Sequence, residues 1–295
     1  MTGYVATIGM FDGVHRGHQF VLQQVIQTAR ELGMQSMVIT FDHPFRGPVL
    51  TSKAAKQLLL SKMGIDRIEM LSFTDRLRQM TARQFMQQEL KERLGVSVLL
   101  TGYDNRFGHQ RAEGFDDYVR YGRELGIEVR ALPPAPQQEG EPTVSSSLIR
   151  ELLAKGRIVE ATEALGYPYT ILGRVGHGCH VGTSLGFPTA NLELDDPKQL
   201  LPPTGAYAVK VRKENSVEWK HGMMNIGMRP TVSDSGHMTL EVHIFRLNED
   251  LYGQQLLVSF FDRLRSEQRF DSTDQLVAQL QEDARQAERI LQLDD

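Results

Sequence analysis

The 295-residue chain holds one cysteine, Cys179, so no disulfide can close within it and no thiolate metal cluster can be built. That scarcity fits a reducing compartment. No apolar run approaches the ~20 residues of a membrane span. The stretch Met1 to Met10 also lacks a basic start followed by an apolar segment of signal length, and a cytoplasmic protein is expected. Charge of one sign is scarce too: 33 basic against 37 acidic residues leave a net charge of −4. A general pull toward nucleic acid or anionic membrane is thereby excluded, and any phosphate must be bound in a local pocket. The expected partners are small molecules, with neither nucleic acid nor membrane among them; the oligomeric state is not readable. With 12 prolines, 26 glycines and no internal repeat, nothing resembles a low-complexity tail.

What is present suffices for two cores, since domains run to roughly 100 to 200 residues. In the first half, apolar β-branched runs alternate with helical patterns. Tyr4 to Gly9 precedes a helix near His18 to Leu32, whose Val21, Val25, Ala29 and Leu32 line one face. Further strands are read at Ser36 to Thr40, Ile68 to Ser72, Val96 to Thr101 and Glu128 to Leu132, with helices at Ala82 to Leu94 and Phe115 to Leu125. This rhythm predicts a doubly wound, Rossmann-like parallel sheet. Prolines 133, 134 and 136 break it, and a helix over Leu148 to Ala154 closes the first domain. The expected division is 1–155, a helical connector at 156–166, and 167–295. In the last part, strand-like runs at Thr170 to Val175, Ala206 to Val211, Thr239 to Phe245 and Leu256 to Phe261 predict a small antiparallel β-barrel. An amphipathic C-terminal helix follows from Thr273, with Leu276, Leu280, Ala284, Ala287 and Leu291 on one face and Ser272 with Gln275 as its capping box.

The first strand runs into Gly9-Met10-Phe11-Asp12-Gly13-Val14-His15-Arg16-Gly17-His18. This is neither the dinucleotide GxGxxG nor a P-loop, because the glycine spacing differs and no Gly-Lys-Ser/Thr follows. Its place at a strand's carboxyl end, opening a helix, is where open α/β sheets bind ligands. His15 and His18, bracketing Gly17 in an HxGH pattern, put two imidazoles beside a helix N-terminus that already favours an anion. Nucleotidyl transfer needs donors preoriented on developing phosphate charge, and this pair supplies them. The plain alternative is that His15 caps the helix and His18 merely begins it. Ser145, Ser146 and Ser147, with Arg150 one turn on, likewise read either as a phosphate site or as an N-cap.

On these residues the first half resembles the FMN adenylyltransferase module of bacterial FAD synthetases, of the HxGH nucleotidyltransferase superfamily. Three more segments agree, in order: Thr40-Phe41-Asp42-His43-Pro44, Gly102-Tyr103-Asp104-Asn105-Arg106-Phe107-Gly108, and Val144-Ser145-Ser146-Ser147-Leu148-Ile149-Arg150. The resemblance implies that Gly9, Phe11, Asp12, Gly13, His15, Gly17, His18, the three serines and Arg150 bind ATP, and that Asp104, Arg106, Phe107 and Gly108 face the flavin. His15 and His18 are implied to stabilise the transition state. Asn105 stands where the family has an aromatic and Ser147 where it has threonine; losing the ring removes stacking area.

In the second half, Leu185-Gly186-Phe187-Pro188-Thr189-Ala190-Asn191 puts a hydroxyl and an amide two residues apart, on one face of an extended chain. Thr189 and Asn191 are oxygen donors suited to Mg²⁺ carried by a nucleotide. Glu241, in the alternating run Leu240 to Phe245, offers a general base, or else is a solvated strand carboxylate. These features resemble the riboflavin kinase module, whose PTAN motif stands intact at Pro188 to Asn191. Segments around Pro203 to Ala208, Asn225 to Thr231, Asp250 to Gly253 and Arg265 to Phe270 continue the likeness. It implies that Glu241 activates the ribityl hydroxyl of riboflavin, that Thr189 and Asn191 hold Mg²⁺, that Gly186 lies against ATP, and that Arg229 and Arg265 meet the flavin. ATP, riboflavin and FMN are the implied substrates. The loop from Gly176 to Ser184 carries His177 and His180 where relatives carry lysine or arginine, and this predicts slower phosphorylation. Two alternatives stand beside the bifunctional enzyme: a chain retaining one activity or none, and a nucleotidyltransferase for another phosphorylated substrate.

Overall fold

The protein is described by a computed structural model covering residues 3–42, 47–102, 105–133, 143–176, 185–229, 237–247 and 249–292, with the backbone alone at 229 and 237. Backbone contacts divide the chain into two compact units. One comprises Met1–Gly47 and Lys53–Val144, the other Pro48–Ser52 and Ser145–Asp295.

The first unit is built on five parallel strands, β1 (Tyr4–Ile8), β2 (Gln35–Asp42), β3 (Arg67–Ser72), β4 (Val96–Thr101) and β5 (Glu128–Ala131), in the order β3-β2-β1-β4-β5. The order reverses direction between β1 and β4, and loops leaving those two strands meet at the sheet's carboxyl edge. The near-continuous apolar strands are explained by burial of both faces. Val5, Val38 and Val98 pack with Leu22, Val25 and Ala29 of α1 (Arg16–Glu31) on one side. Ala6, Met37, Ile39 and Leu99 pack on the other, against Phe85, Met86, Leu90 and Tyr118.

The expected helix over Ala82 to Leu94 is a short α4 (Ala82–Phe85) that continues as a π-helix, Met86–Arg93. On α1 the buried stripe runs Leu22, Val25, Ala29, while Leu32 is the exposed C-cap. Helices α2 (Lys53–Lys62) and α3 (Asp75–Gln79) had no clear apolar stripe; the two buried residues of α2 are Lys56 and Leu60. Helix α5 (Phe115–Leu125) lies as expected.

The second unit holds α6 (Ser146–Ala154) and α7 (Ile158–Leu165), then six antiparallel strands closed into a barrel. These are β6 (Thr170–Gly176), β7 (Ala190–Leu194), β8 (Gly205–Lys213), β9 (Lys220–Arg229), β10 (His237–Ile244) and β11 (Gln255–Ser266), in the order β10-β7-β6-β11-β8-β9. Spatially α6, read from sequence as the close of the first half, groups with the barrel. Strands β7 and β9 were not read from the sequence: β7 is only five residues long, directly after Pro188 and Thr189, and in β9 close approach to β10 calls for glycine, a Cβ on Gly222 sitting 2.5 Å from the carbonyl oxygen of His243. Helix α8 (Thr273–Gln292) lies on the outer face of β8, β9 and β11. Its Ala287 and Leu291 are buried with Ala208 and Met223. At its start Ser272 Oγ accepts from the Gln275 amide at 3.3 Å, and the Gln275 side chain reaches back to the amide of Asp271 rather than Ser272.

Candidate active sites

The β1-end loop turns so sharply that Phe11 (φ 47°), Gly13 (φ 81°) and Val14 (φ 35°) all adopt left-handed backbone. The turn delivers His15 as N-cap of α1, its Nδ1 accepting from the backbone N–H of His18 at 3.4 Å. An accepting Nδ1 leaves the proton of a neutral ring on Nε2, which becomes a donor. The two rings stack at 3.7 Å between centroids with 20° between planes. Gly17 leaves the ring undisturbed, because a Cβ there would lie 3.2 Å from His15 Cε1 and 3.3 Å from its Nδ1, tight enough to push the imidazole by a few tenths of an ångström. Gly9 similarly lies under the Phe11 ring, 3.0 Å from a would-be Cβ.

Both imidazoles are held neutral. Burial pushes His15 down to about 4 against an opposing pull from Asp12. Burial also pushes His18 well below its ordinary value, reinforced by His15 and by Lys56. Asp12 and His15 are themselves buried. The Nδ1 of His18 is buried without a hydrogen-bond partner among the described residues, an atom open to a ligand, a water or an ion. The capping alternative for His15 is thus realised in the fold, and the cap is the geometry that aims the ring pair.

Beside this loop lies a cavity of about 270 Å³ lined mainly by apolar groups, among them Phe41, Phe73, Met80, Phe85 and Phe107, with Ile8, Gly9 and Met10 at the loop. Phe107 stacks on Tyr118 at 4.0 Å, and the Tyr118 hydroxyl accepts from the Phe107 amide at 2.9 Å. Gly108 (φ 92°) admits no side chain, a Cβ being 2.6 Å from the amide nitrogen of Ala82. Arg106 and Gly108 line the cavity with Asn105. The Asn105 side-chain amide donates to the carbonyl of Ile8 at 2.8 Å, so this residue ties the β4 loop to the end of β1. Asp104 lies outside the described residues.

The serine segment begins where Val144 ends, and the carbonyl of Val144 is 3.9 Å from the Cβ position of Gly17. Ser145 is the N-cap of α6, its Oγ accepting from the amide of Leu148 at 3.2 Å. Ser146 and Ser147 occupy the first turn of α6, and Arg150 donates from Nε to the carbonyl of Pro48 at 3.2 Å.

In the barrel, strand register assembles the second site. Glu241 on β10 is opposite Asn191 on β7 and Asn225 on β9; Asn225 is opposite Ala206 on β8, which is opposite Arg265 on β11. Directly opposed residues share a face, so one lateral row crosses five strands. Leu240, Val242 and Ile244 fill the barrel, so Glu241 points outward with its row. Thr189, Glu241, Asn225, Arg265, Glu267 and Phe187 line a cavity of about 250 Å³. Thr189 also lines a second cavity of about 200 Å³ with Asn191, Asp250 and Tyr252, and so belongs to the wall common to both. Gly186 (φ 82°) turns the chain into this segment with open space around it. Arg229 ends β9, its side chain not described. The loop positions 177–184, with His177 and His180, lie outside the described residues.

Three contributors were not read from the sequence. His243 binds the carbonyl of Pro188 through Nδ1 at 2.8 Å and meets the Phe187 ring edge-on, fixing the chain just before Thr189. Asp283 of α8 accepts from Arg265 Nε at 2.9 Å and from Gln279 at 2.8 Å. Lys56 donates to two carbonyls at the first site. Only the first had a signal, the i, i+2 spacing from Glu241.

Comparison with known proteins places a known family over each half of the chain. A family model for FAD synthetase matches residues 1–148, and one for riboflavin kinase matches residues 165–291. The chain is 40% identical to the bifunctional riboflavin kinase/FMN adenylyltransferase of Pseudomonas fluorescens, over 93% of this chain and 88% of that one. It is 36% identical to the protein of that name from Escherichia coli K12, covering 95% and 90%. A crystal structure described as a macrolide-efflux protein from Streptococcus pneumoniae superposes with a TM-score of 0.84 at 30% identity, covering 96% and 92%; among the described residues of this chain no helix is long and apolar enough to cross a membrane. With an HxGH loop at a parallel sheet's edge, Thr189 beside an Asn191–Glu241 row on a closed barrel and relatives matching across nearly its whole length, the chain belongs to the family of bifunctional riboflavin kinase/FMN adenylyltransferases.

Proposed function

We propose that the row around Thr189, Asn191 and Glu241 phosphorylates riboflavin, and that the His15/His18 loop adenylylates the FMN so formed. The observation that carries this reading is the coexistence in one chain of the stacked, neutral imidazole pair at the start of α1 and the cross-strand Glu241–Asn191 pair on the barrel.

In the kinase reaction Glu241 takes the proton of the terminal ribityl hydroxyl. The hydroxyl oxygen attacks the γ-phosphorus of ATP, the bond to the bridging oxygen breaks, and ADP leaves. Thr189 and Asn191 offer hard oxygen donors on one cavity wall, a fit for Mg²⁺ arriving with ATP, which supplies charge neutralisation on the phosphates. The two cavities sharing Thr189 divide the labour: phosphates on the Asn191 side, the flavin and its ribityl chain on the Glu241 side with Arg265 and Arg229. Gly186 gives the nucleotide close backbone approach.

In the second reaction a phosphate oxygen of FMN attacks the α-phosphorus of another ATP and pyrophosphate leaves, with no covalent enzyme intermediate. His15, donating from Nε2, and His18 stabilise charge on the α-phosphate as bonding changes. Gly9, Phe11, Asp12, Gly13 and Gly17 shape the loop around the nucleotide. Ser145, Ser146, Ser147 and Arg150 are assigned to ATP phosphates by likeness alone. The aromatic cavity with Arg106, Phe107 and Gly108 suits the flat isoalloxazine ring, and Asp104 is assigned to the same flavin by likeness. The enzyme is read as cytoplasmic, acting on small molecules rather than on nucleic acid.

Incubating the protein with riboflavin, ATP and Mg²⁺ and separating flavins over time tests both halves. FMN should appear first and FAD follow, with His15→Ala stopping at FMN and Asn191→Ala blocking FMN formation. If neither product forms, the assignment fails. If supplied FMN stays unchanged while another phosphate ester is adenylylated, the first site serves a different substrate.

A further inference from the structure

Lys56 is a lysine in the wrong place for an ordinary surface helix. It lies on α2 with only 4% of its surface exposed, although lysine is almost never fully buried without a partner. Its ammonium spans two adjacent strand ends. It donates to the carbonyl of Phe41 on β2 at 2.8 Å and to that of Met10, in the loop leaving β1, at 3.2 Å. Thr40 Oγ1 donates to the same Met10 oxygen at 3.0 Å, and the amide of Gly9 to Ile39 O at 3.1 Å. Met10 and Phe41 also line the aromatic cavity. Lys56 therefore pins the one stretch of backbone that has the cavity on one side and leads to Asp12, His15 and His18 on the other.

Its charge matters as well. With both imidazoles neutral, Asp12 buried beside them and Arg16 exposed, the buried part of the histidine loop supplies no fixed positive charge, yet its reaction handles polyanions. The charged groups bearing on the imidazole pair are Asp12 and His15 from the loop and Lys56 from α2; those bearing on Lys56 are Asp12 and Asp42. Burial pulls Lys56 below its ordinary value while both aspartates oppose that pull, and two carbonyl acceptors favour the ammonium form. A neutral side chain of the same length would hold the helix in place and leave the loop unpinned and the site without its interior cation.

We propose that Lys56 is a positioning residue of adenylyl transfer, which pins the Met10 carbonyl to β2 and supplies the fixed positive charge behind the His15/His18 pair. The proposal rests on the adenylyl-transfer reading of that site.

The test uses the full chain and three variants, Lys56→Met, Lys56→Gln and Lys56→Arg, assayed from FMN and, separately, from riboflavin. Lys56→Met is expected to lower kcat for FAD formation about 100-fold, the order seen when a preorganised donor is lost, with KM for FMN changed by less than about 3-fold. Lys56→Gln keeps donors without charge and should fall between Met and wild type, while Lys56→Arg keeps both and should recover most of the rate if the site accepts its bulk. Riboflavin phosphorylation, carried by the other unit, should be unchanged in all three. The acid limb of the FAD-formation rate profile should move to higher pH in Lys56→Met and Lys56→Gln, because the imidazoles lose a nearby positive charge that keeps them deprotonated; a purely structural lysine would not move it. Wild-type rate with an unmoved acid limb in Lys56→Gln overturns the proposal, as does a loss confined to melting temperature. A wild-type protein that makes FMN but never FAD overturns the adenylyl-transfer reading itself, and the two failures are distinct.

Discussion

At the scale of single residues, the first site is a problem of close approach. Gly17 sits inside the first turn of α1, where alanine would be the better helix former by up to about 1 kcal/mol. Its absence is explained by the His15 ring, which a Cβ would contact at 3.2 Å. Gly17→Ala should leave the melting temperature unchanged or slightly raised while cutting FAD formation at least about 10-fold, since a ring displaced by a few tenths of an ångström misaims a donor. Calorimetry and a single FMN-dependent assay check both halves of that statement. The same scale explains what sequence alone could and could not disclose. The HxGH and PTAN patterns are legible because their spacing is itself the geometry: a turn that caps a helix with one imidazole and brings a second beside it, and an extended chain that puts two oxygen donors on one face. Lys56, His243 and Asp283 were not legible, because a lysine, a strand histidine and a helix aspartate each read as solvated until a neighbour from elsewhere in the chain is placed over them.

At the scale of elements, α8 is more than a cover for the barrel. Its Asp283 is 1% exposed and meets the guanidinium of Arg265, whose Nη2 is 2.9 Å from Oδ2; the same guanidinium lies over the Phe270 ring at 5.6 Å. The pair thus ties the helix to the end of the strand that completes the Glu241 row. Removing one partner of a buried pair leaves an uncompensated charge and costs about 3–5 kcal/mol. Asp283→Ala should therefore destabilise the barrel unit by that order and raise KM for riboflavin. The double replacement Arg265→Met with Asp283→Leu should regain most of the stability but not the KM, as denaturant unfolding and kinase assays would show. Among elements, the parallel strands announced themselves through continuous apolar runs and the barrel through alternation. Strands β7 and β9 did not, β7 because it is only five residues long and β9 because Gly222 serves close approach to β10. Helix α2 did not either, because one of its two inward positions is the lysine rather than an apolar residue.

At the scale of the whole molecule, each unit has its own core and its own response to acid. His15 titrates at about 4 and His18 well below its ordinary value, both in the first unit. Their folded values lie below the unfolded one near 6.5, so as pH falls below that value the unfolded state takes protons that the folded state refuses, and stability is lost, in the case of His15 down to about pH 4. For His15 alone the loss amounts to about 3 kcal/mol across that window. Calorimetry at pH 7.5 and pH 5 should show the transition of the adenylyl-transfer unit moving down, and His15→Phe should flatten its slope; an unmoved transition would contradict the burial of that ring.

The barrel's closure bears on behaviour at high protein concentration. A sheet with a free margin offers a row of unsatisfied amides and carbonyls to any passing strand. In the second unit β10 and β9 meet, so among the described residues every barrel strand is flanked on both sides and no margin is left on which a second copy could add. Among the described residues the first unit's sheet ends on two strands, β3 and β5. Strand β5 is only four residues long and carries the Glu128–Arg130 ion pair, while β3 carries Arg67 and Glu69, likewise paired. Charges on both margins make strand addition costly, and so the flanks that bear no ligand still shape whether the chain stays dispersed.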